Sequence, residues 1–295
     1  MQNKSILDAL NKTVLTDNNY SLTHNGLDLR KHVKSIFYIF RYAESYQDEF
    51  YNHLGFALIE ELITYLNNLK KNLTASIYPM IGLYLLKFNH WGFMNLSLEK
   101  LLTEIDQHAM RLVTSPQSRF SLVLIAMLYV EQRNLQQASL KDLYNRLKIA
   151  FSKRATLNLD KEENISNVVF CLHLLTAFDK NYEKTYHFFF QEFKKRLGLN
   201  LISFNVDLAF VLNAIGETEM LNGIKDKITA TDFLEEISIQ HLKDEFPLKL
   251  EKNLVERNLK TAAYYHKIDL GIEILFASKK DFKEQYAYYK LLNYL

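Results

Sequence analysis

The sequence is poor in the residues that bend and cross-link a chain. Its 295 residues include 8 glycines, 3 prolines and 1 cysteine. So little glycine and proline leaves few turns with special backbone angles, which argues against a β-sandwich or barrel. The single Cys171 excludes an internal disulfide and any metal site built from several cysteines of one chain. It lies in the apolar run Val168-Val169-Phe170-Cys171-Leu172, and apolar surroundings raise a thiol pKa and leave it inert. No nucleophile elbow of the G-x-S-x-G kind is present, no G-x-G-x-x-G, no phosphate loop and no H-E-x-x-H. Nucleophilic catalysis and nucleotide binding have no motif to stand on.

Excess charge of one sign is also missing. The 36 basic and 34 acidic residues are interspersed and give a formal net charge of +2. No basic arm suited to nucleic acid appears, so nucleic-acid binding is not expected. Lys194-Lys195-Arg196 and Lys70-Lys71 fall near the ends of amphipathic segments, where the helix dipole favours cations. The longest apolar run, Leu122–Val130, is about half of the roughly 20 residues that span a bilayer. The opening MQNKSILDALNK lacks the apolar core of a signal peptide. The expectation is a soluble, cytoplasmic protein without a membrane partner.

What the chain does have is a rhythm. An apolar segment of helix length is followed, after a short break, by a charged amphipathic one. The apolar members include 76–88, 118–130, 165–178, 203–216 and 261–276. In 28–71 two further helices fit, and Leu54, Leu58, Leu62 and Leu66 recur every four residues to make one apolar face. The pairs begin near 28, 76, 118, 165, 203 and 261, a spacing of about 40–50 residues that suits a helical hairpin with its connections. Gly198 and Gly216 are placed as C-terminal caps. Strand-like alternation is nearly absent.

The expected fold is therefore all-α: about six helical hairpins in one domain spanning 1–295. Residues 1–24 read as a lead-in packed on the outside. Residues 231–256, which include Pro247, read as an insertion or an extra helix. Helices that are apolar almost all round must be surrounded. A closed α/α toroid with apolar inner helices fits this better than an open solenoid, whose concave face meets solvent.

One stretch carries a resemblance. Met80-Ile81-Gly82-Leu83-Tyr84-Leu85-Leu86, followed by Asn95–Val113, resembles the lanthionine synthetase C-like family. In that family a glycine-containing segment opens each inner helix of an α/α toroid. Asp269-Leu270-Gly271-Ile272 is a second echo, and Asp207-Leu208-Ala209-Phe210 a third with the glycine replaced. The resemblance covers about 76–113; elsewhere it rests on the rhythm. Active members hold zinc with two cysteines and a histidine, one cysteine directly before the histidine. Here the only cysteine precedes Leu172, so that site cannot be built. The resemblance implies a relative without zinc or other cofactor: a scaffold that binds a peptide or a partner enzyme in a peptide-modification pathway.

Several residues carry candidate chemistry. None of the nine histidines pairs with another at i, i+4, and Cys171 and His173, two apart, point to different helix faces. No metal site is expected. Asp207 and Asp269 occupy matching positions at the starts of two apolar helices. Two carboxylates facing one cavity can act as general acid and base; equally, acids are simply favoured in a first helical turn. His266 lies one turn before Leu270 and near Asp269, the most enzyme-like pairing in the chain. The 18 tyrosines suit peptide binding, since the ring packs while the hydroxyl bonds. Tyr78, Tyr264 and Tyr265, at inner-helix starts, are the candidate binding residues. Two alternatives stay open. One is a toroid enzyme using Asp207, Asp269 or His266 for acid–base work on a peptide, sugar or isoprenoid. The other is a helical-repeat adaptor with a protein-binding groove.

Overall fold

The computed structural model describes residues 2–16, 29–68, 77–114, 120–135, 165–228, 264–277 and 283–293. They form twelve α-helices and one 3₁₀ turn, and no strand occurs among them. The helices are α1 (Gln2–Thr16), α2 (Leu29–Tyr46), α3 (Glu49–Asn68), α4 (Tyr78–His90), α5 (Glu99–Thr114) and α6 (Phe120–Arg133). They continue with α7 (Ile165–Thr176), α8 (Asn181–Gly198), α9 (Val206–Ala214), α10 (Thr218–Ile224), α11 (Tyr264–Ala277) and α12 (Lys283–Asn293). The fold is all-α, as the rhythm implies. The charged segment expected after α6 and the insertion at 231–256 lie outside the described residues, as does the side-chain environment of Tyr264, Tyr265 and His266.

The chain divides into two compact units. Unit one comprises Met1–Lys71, Phe204–Phe210 and Glu219–Leu292; unit two comprises Asn72–Ser203, Val211–Thr218 and Asn293–Leu295.

In unit two the apolar helices pack side by side, α4 on α6 and α6 on α7, and the charged helices α5 and α8 each pack on the apolar helix before them. Their burial follows their composition. Every residue from Val123 to Val130 of α6 is buried. In α8, by contrast, Tyr182, Phe189, Phe190, Phe193 and Leu197 are buried while Glu183, Lys184, His187 and Lys195 face solvent. Pro79 sits in the first turn of α4, where a missing N–H costs nothing. Trp91 follows the end of α4 and packs its ring 6.2 Å from Phe88 and 5.9 Å from Phe93, stapling the turn.

The turn after α8 departs from expectation. Gly198 is still helical, and Asn200 is the residue that takes the left-handed conformation, with φ 55°. The Leu201 N–H then donates to the Arg196 carbonyl and the Asn200 N–H to that of Leu197, closing the helix end. Gly216 does cap α9, with φ 81°.

Unit one is built from both ends of the sequence. Helix α2 packs on α3 and on α11, and α1 packs on α11. In α3, Leu58, Leu62 and Leu66 are buried and Leu54 is half-buried, which matches the four-residue spacing. Residues 1–24 were expected on the outside. Leu7 and Leu10 of α1 are instead completely buried and Ile6 nearly so, which makes α1 part of the core. Its apolar positions are too few to mark it as a core helix by pattern alone.

Candidate functional site

The richest grouping of charge and hydroxyl in unit one is on α11, a helix buried from Ile268 to Phe276 except at Asp269. Two carboxylates, Asp269 and Glu273, stand four residues apart on it and so share one face. An acid in such a helix needs a partner, because burying an unpaired charge costs far more than folding can supply. Each acid has two. Asp269 Oδ1 accepts from Lys34 Nζ at 2.9 Å and from the Tyr289 hydroxyl at 2.7 Å. Glu273 Oε1 lies 2.6 Å from Lys290 Nζ, and its Oε2 accepts from the Tyr286 hydroxyl at 2.7 Å.

The two halves interlock. Lys34 Nζ stands 5.7 Å from the centre of the Tyr289 ring, and Lys290 Nζ stands 5.3 Å and 5.7 Å from those of Tyr286 and Tyr289. Phe37 and Phe276 both stack on Tyr289, and Phe276 also meets Tyr286 at a tilt. Burial and the neighbouring Asp269 and Glu273 push the Tyr289 hydroxyl well above the ordinary phenol range, so it is a fixed donor. Glu273 is fully buried, whereas Lys34 and Asp269 keep 13% and 16% of their side-chain exposure. The array thus runs from a half-open end to a closed one.

Unit two has its own polar group, on α5 and α6. The Tyr129 hydroxyl donates to Asp106 Oδ1 at 2.5 Å. Arg133 makes a bidentate pair with Glu99, at 3.0 and 2.6 Å, and its Nε lies 3.4 Å from Asp106. The Arg133 contact holds the exposed Glu99 carboxyl below its usual range. The Tyr182 hydroxyl donates to Glu131 at 2.7 Å, tying α8 to α6. Tyr78, the first residue of α4, stacks flat on His108 with ring centres 4.4 Å apart. Burial, then the Arg111 charge, lowers the His108 pKa, so the ring is neutral at neutral pH.

The residues singled out by sequence therefore have different surroundings. Asp269 sits in a network of Lys34 and Tyr289. Asp207 is exposed in the first turn of α9. Tyr78 is 7% exposed and occupied by its stack on His108. The side chains of His266, Tyr264 and Tyr265 lie outside the described residues. Sequence reading missed Lys34, Glu273 and Lys290. One signal was available: Glu273 falls in the otherwise apolar run Gly271–Phe276, and a charge there calls for a buried partner.

The two glycines that carried the family resemblance have a packing role. A Cβ on Gly82 would stand 2.5 Å from Tyr129 Cε2 and 2.8 Å from Ile105 Cγ2. On Gly271 it would stand 2.5 Å from Tyr38 Cε2. Each glycine is a notch for a tyrosine ring from a neighbouring apolar helix. Each ring's hydroxyl reaches a polar side chain on a third helix: Tyr129 to Asp106 on α5, and Tyr38 to Asn11 on α1, at 2.6 Å.

Among the described residues no three His, Cys, Asp or Glu side chains gather as a metal ion would need, and no helix is long and apolar enough to cross a membrane. Comparison with family models, curated proteins and solved structures finds no match to this chain.

Proposed function

We propose that this chain is a non-catalytic, lanthionine-cyclase-like scaffold that binds a peptide or a partner enzyme in a peptide-modification pathway. One observation carries the reading. Asp269, the acid best placed for proton transfer, is held by a lysine and a tyrosine at hydrogen-bond distance. A general base needs a free lone pair aimed at substrate and a pKa near the working pH. An ion-paired carboxylate that also accepts from a tyrosine is suited to holding helices together.

The lone cysteine supports the same reading, because thioether cyclisation on zinc requires a cysteine pair to hold the metal that keeps the substrate thiol as thiolate. The half-buried His108 ring, stacked on the buried Tyr78 at the start of α4, is the aromatic feature a peptide would meet. A closed ring of hairpins belongs to this proposal. Such a ring requires its first and last hairpins to meet, and the packing of α2 on α11 within unit one supports it.

The test is a peptide containing dehydroalanine and cysteine. Incubation with the full-length protein should leave the free thiol titratable, with no thioether, while fluorescence anisotropy reports binding that weakens when His108→Ala removes the ring stacked on Tyr78. Thioether formation overturns the non-catalytic reading. Absence of binding by this peptide and by the unmodified precursor type overturns the peptide-binding one.

A further inference from the structure

The geometry points to α1 as a latch that holds helix α11 on α2. Three tyrosines of α2, spaced four residues apart on one face, meet three polar residues of α1 in reverse order. Tyr38 donates to Asn11 at 2.6 Å, Tyr42 donates to Asp8, and Lys4 Nζ stands 5.3 Å from the centre of the Tyr46 ring. The order 11, 8, 4 against 38, 42, 46 means that α1 and α2 run antiparallel, one rung per helical turn. The middle rung is reinforced, since the Tyr42 ring lies 4.9 Å from Tyr46 and 4.6 Å from Tyr51.

The top rung reaches a third helix. The Tyr38 ring fills the notch at Gly271 of α11 while its hydroxyl holds Asn11 of α1, and α1 packs directly on α11. One side chain therefore couples all three helices. The same joint occurs in unit two, where Tyr129 fills Gly82 of α4 and holds Asp106 of α5. There the three helices follow one another along the chain. In unit one α11 is distant in sequence from α1 and α2, and among the described residues it is side-chain packing that keeps it against them. On this inference α1 and α11 open as one cooperative unit, because segments coupled by shared contacts open together. Release of α1 would uncover the Tyr38–Gly271 face of α11. This inference does not depend on the peptide-binding reading.

Native-state hydrogen exchange on the full-length protein tests it. Asn11→Ala with Tyr42→Phe removes two rungs and leaves the Tyr38 ring in its notch. Amides of α1 and α11 should then exchange together, about tenfold faster or more, with α4–α8 unchanged. Tyr42→Phe alone, a milder change, should give a smaller effect in the same two helices. Faster exchange confined to α1 overturns the proposal, since α1 would then fray without holding anything. Equal acceleration in α4–α8 overturns it too, since the loss would then be global.

Discussion

The ring of Tyr38 occupies the space that a side chain on Gly271 would need, with Cε2 2.5 Å from where a Cβ would stand. The two residues lie far apart in the sequence, and the Lys34–Asp269 pair at 2.9 Å joins the same two helices.

Gly271→Ala should therefore destabilise the protein by about 1–3 kcal/mol, as overpacking of a filled core does. Gly82→Ala meets Tyr129 in the same way and should cost a similar amount. Gly223→Ala, on α10, meets nothing within 4 Å. It should be neutral or stabilise by up to about 1 kcal/mol, because alanine favours helix. Urea unfolding of the three variants, read against the parent, checks the contrast. Equal losses at 223 and 271 would contradict it.

The Glu273–Lys290 pair gives a second prediction. Removing one partner, as Glu273→Leu or Lys290→Met, leaves a buried charge and should cost about 3–5 kcal/mol. Removing both with apolar residues of similar volume should restore most of that loss. A double-mutant cycle by denaturant unfolding reads the coupling. If the double variant loses as much as the sum of the singles, the pair is not a closed unit. The Arg133–Glu99 pair, with Glu99 largely exposed to screening solvent, should show far weaker coupling by the same cycle.

Much of this architecture could be read before any coordinates. The four-residue leucine spacing of α3 and the near-continuous apolar character of α4, α6 and α7 follow from composition and period. The joints between helices could not be read in that way. Gly82 and Gly271 stand out as family echoes, but their use as notches depends on Tyr129 and Tyr38, which sequence order does not connect to them. Asp269 was visible as a candidate acid, whereas Lys34, its partner, lies 235 residues away. The amphipathic pattern of α1 was legible but its place in the core was not, because Ile6, Leu7 and Leu10 are a short apolar set and its other anchors, Asp8 and Asn11, are polar. At the end of α8, the glycine that a capping rule selects was passed over for Asn200, since asparagine tolerates the left-handed conformation.

Stability should depend on pH through three histidines. Burial lowers the pKa values of His32, His108 and His173. The unfolded chain then binds protons first, at about pH 6.5, while the folded chain stays neutral. Stability is fully present above that pH and falls as pH drops below it towards the folded-state values. His32 Nε2 contacts the Leu58 carbonyl at 2.9 Å, and since a carbonyl only accepts, that nitrogen carries the proton in the neutral ring. Thermal midpoints measured between about pH 7.5 and 5 should fall with pH. His32→Asn should flatten the slope while lowering the midpoint at the upper end. A slope unchanged in that variant would remove His32 from the account.

Tyr129→Phe isolates a single hydroxyl. It keeps the ring in the Gly82 notch and removes the bond to Asp106, so the expected loss is about 1–2 kcal/mol. A thermal or urea measurement reads it, and Asp106→Asn made in the same background should add little, because the two share one interaction. Additive losses would show that Asp106 is held chiefly by Arg133.

On the proposed reading, this fold is a binding scaffold that holds no zinc. The most direct measurement is the metal content of the full-length protein, purified without chelator and without a histidine tag, by elemental analysis. The account predicts zinc far below one atom per chain, unchanged after incubation with excess zinc and desalting. One zinc per chain, retained through desalting, would contradict it and would mean a site assembled from residues distant in sequence.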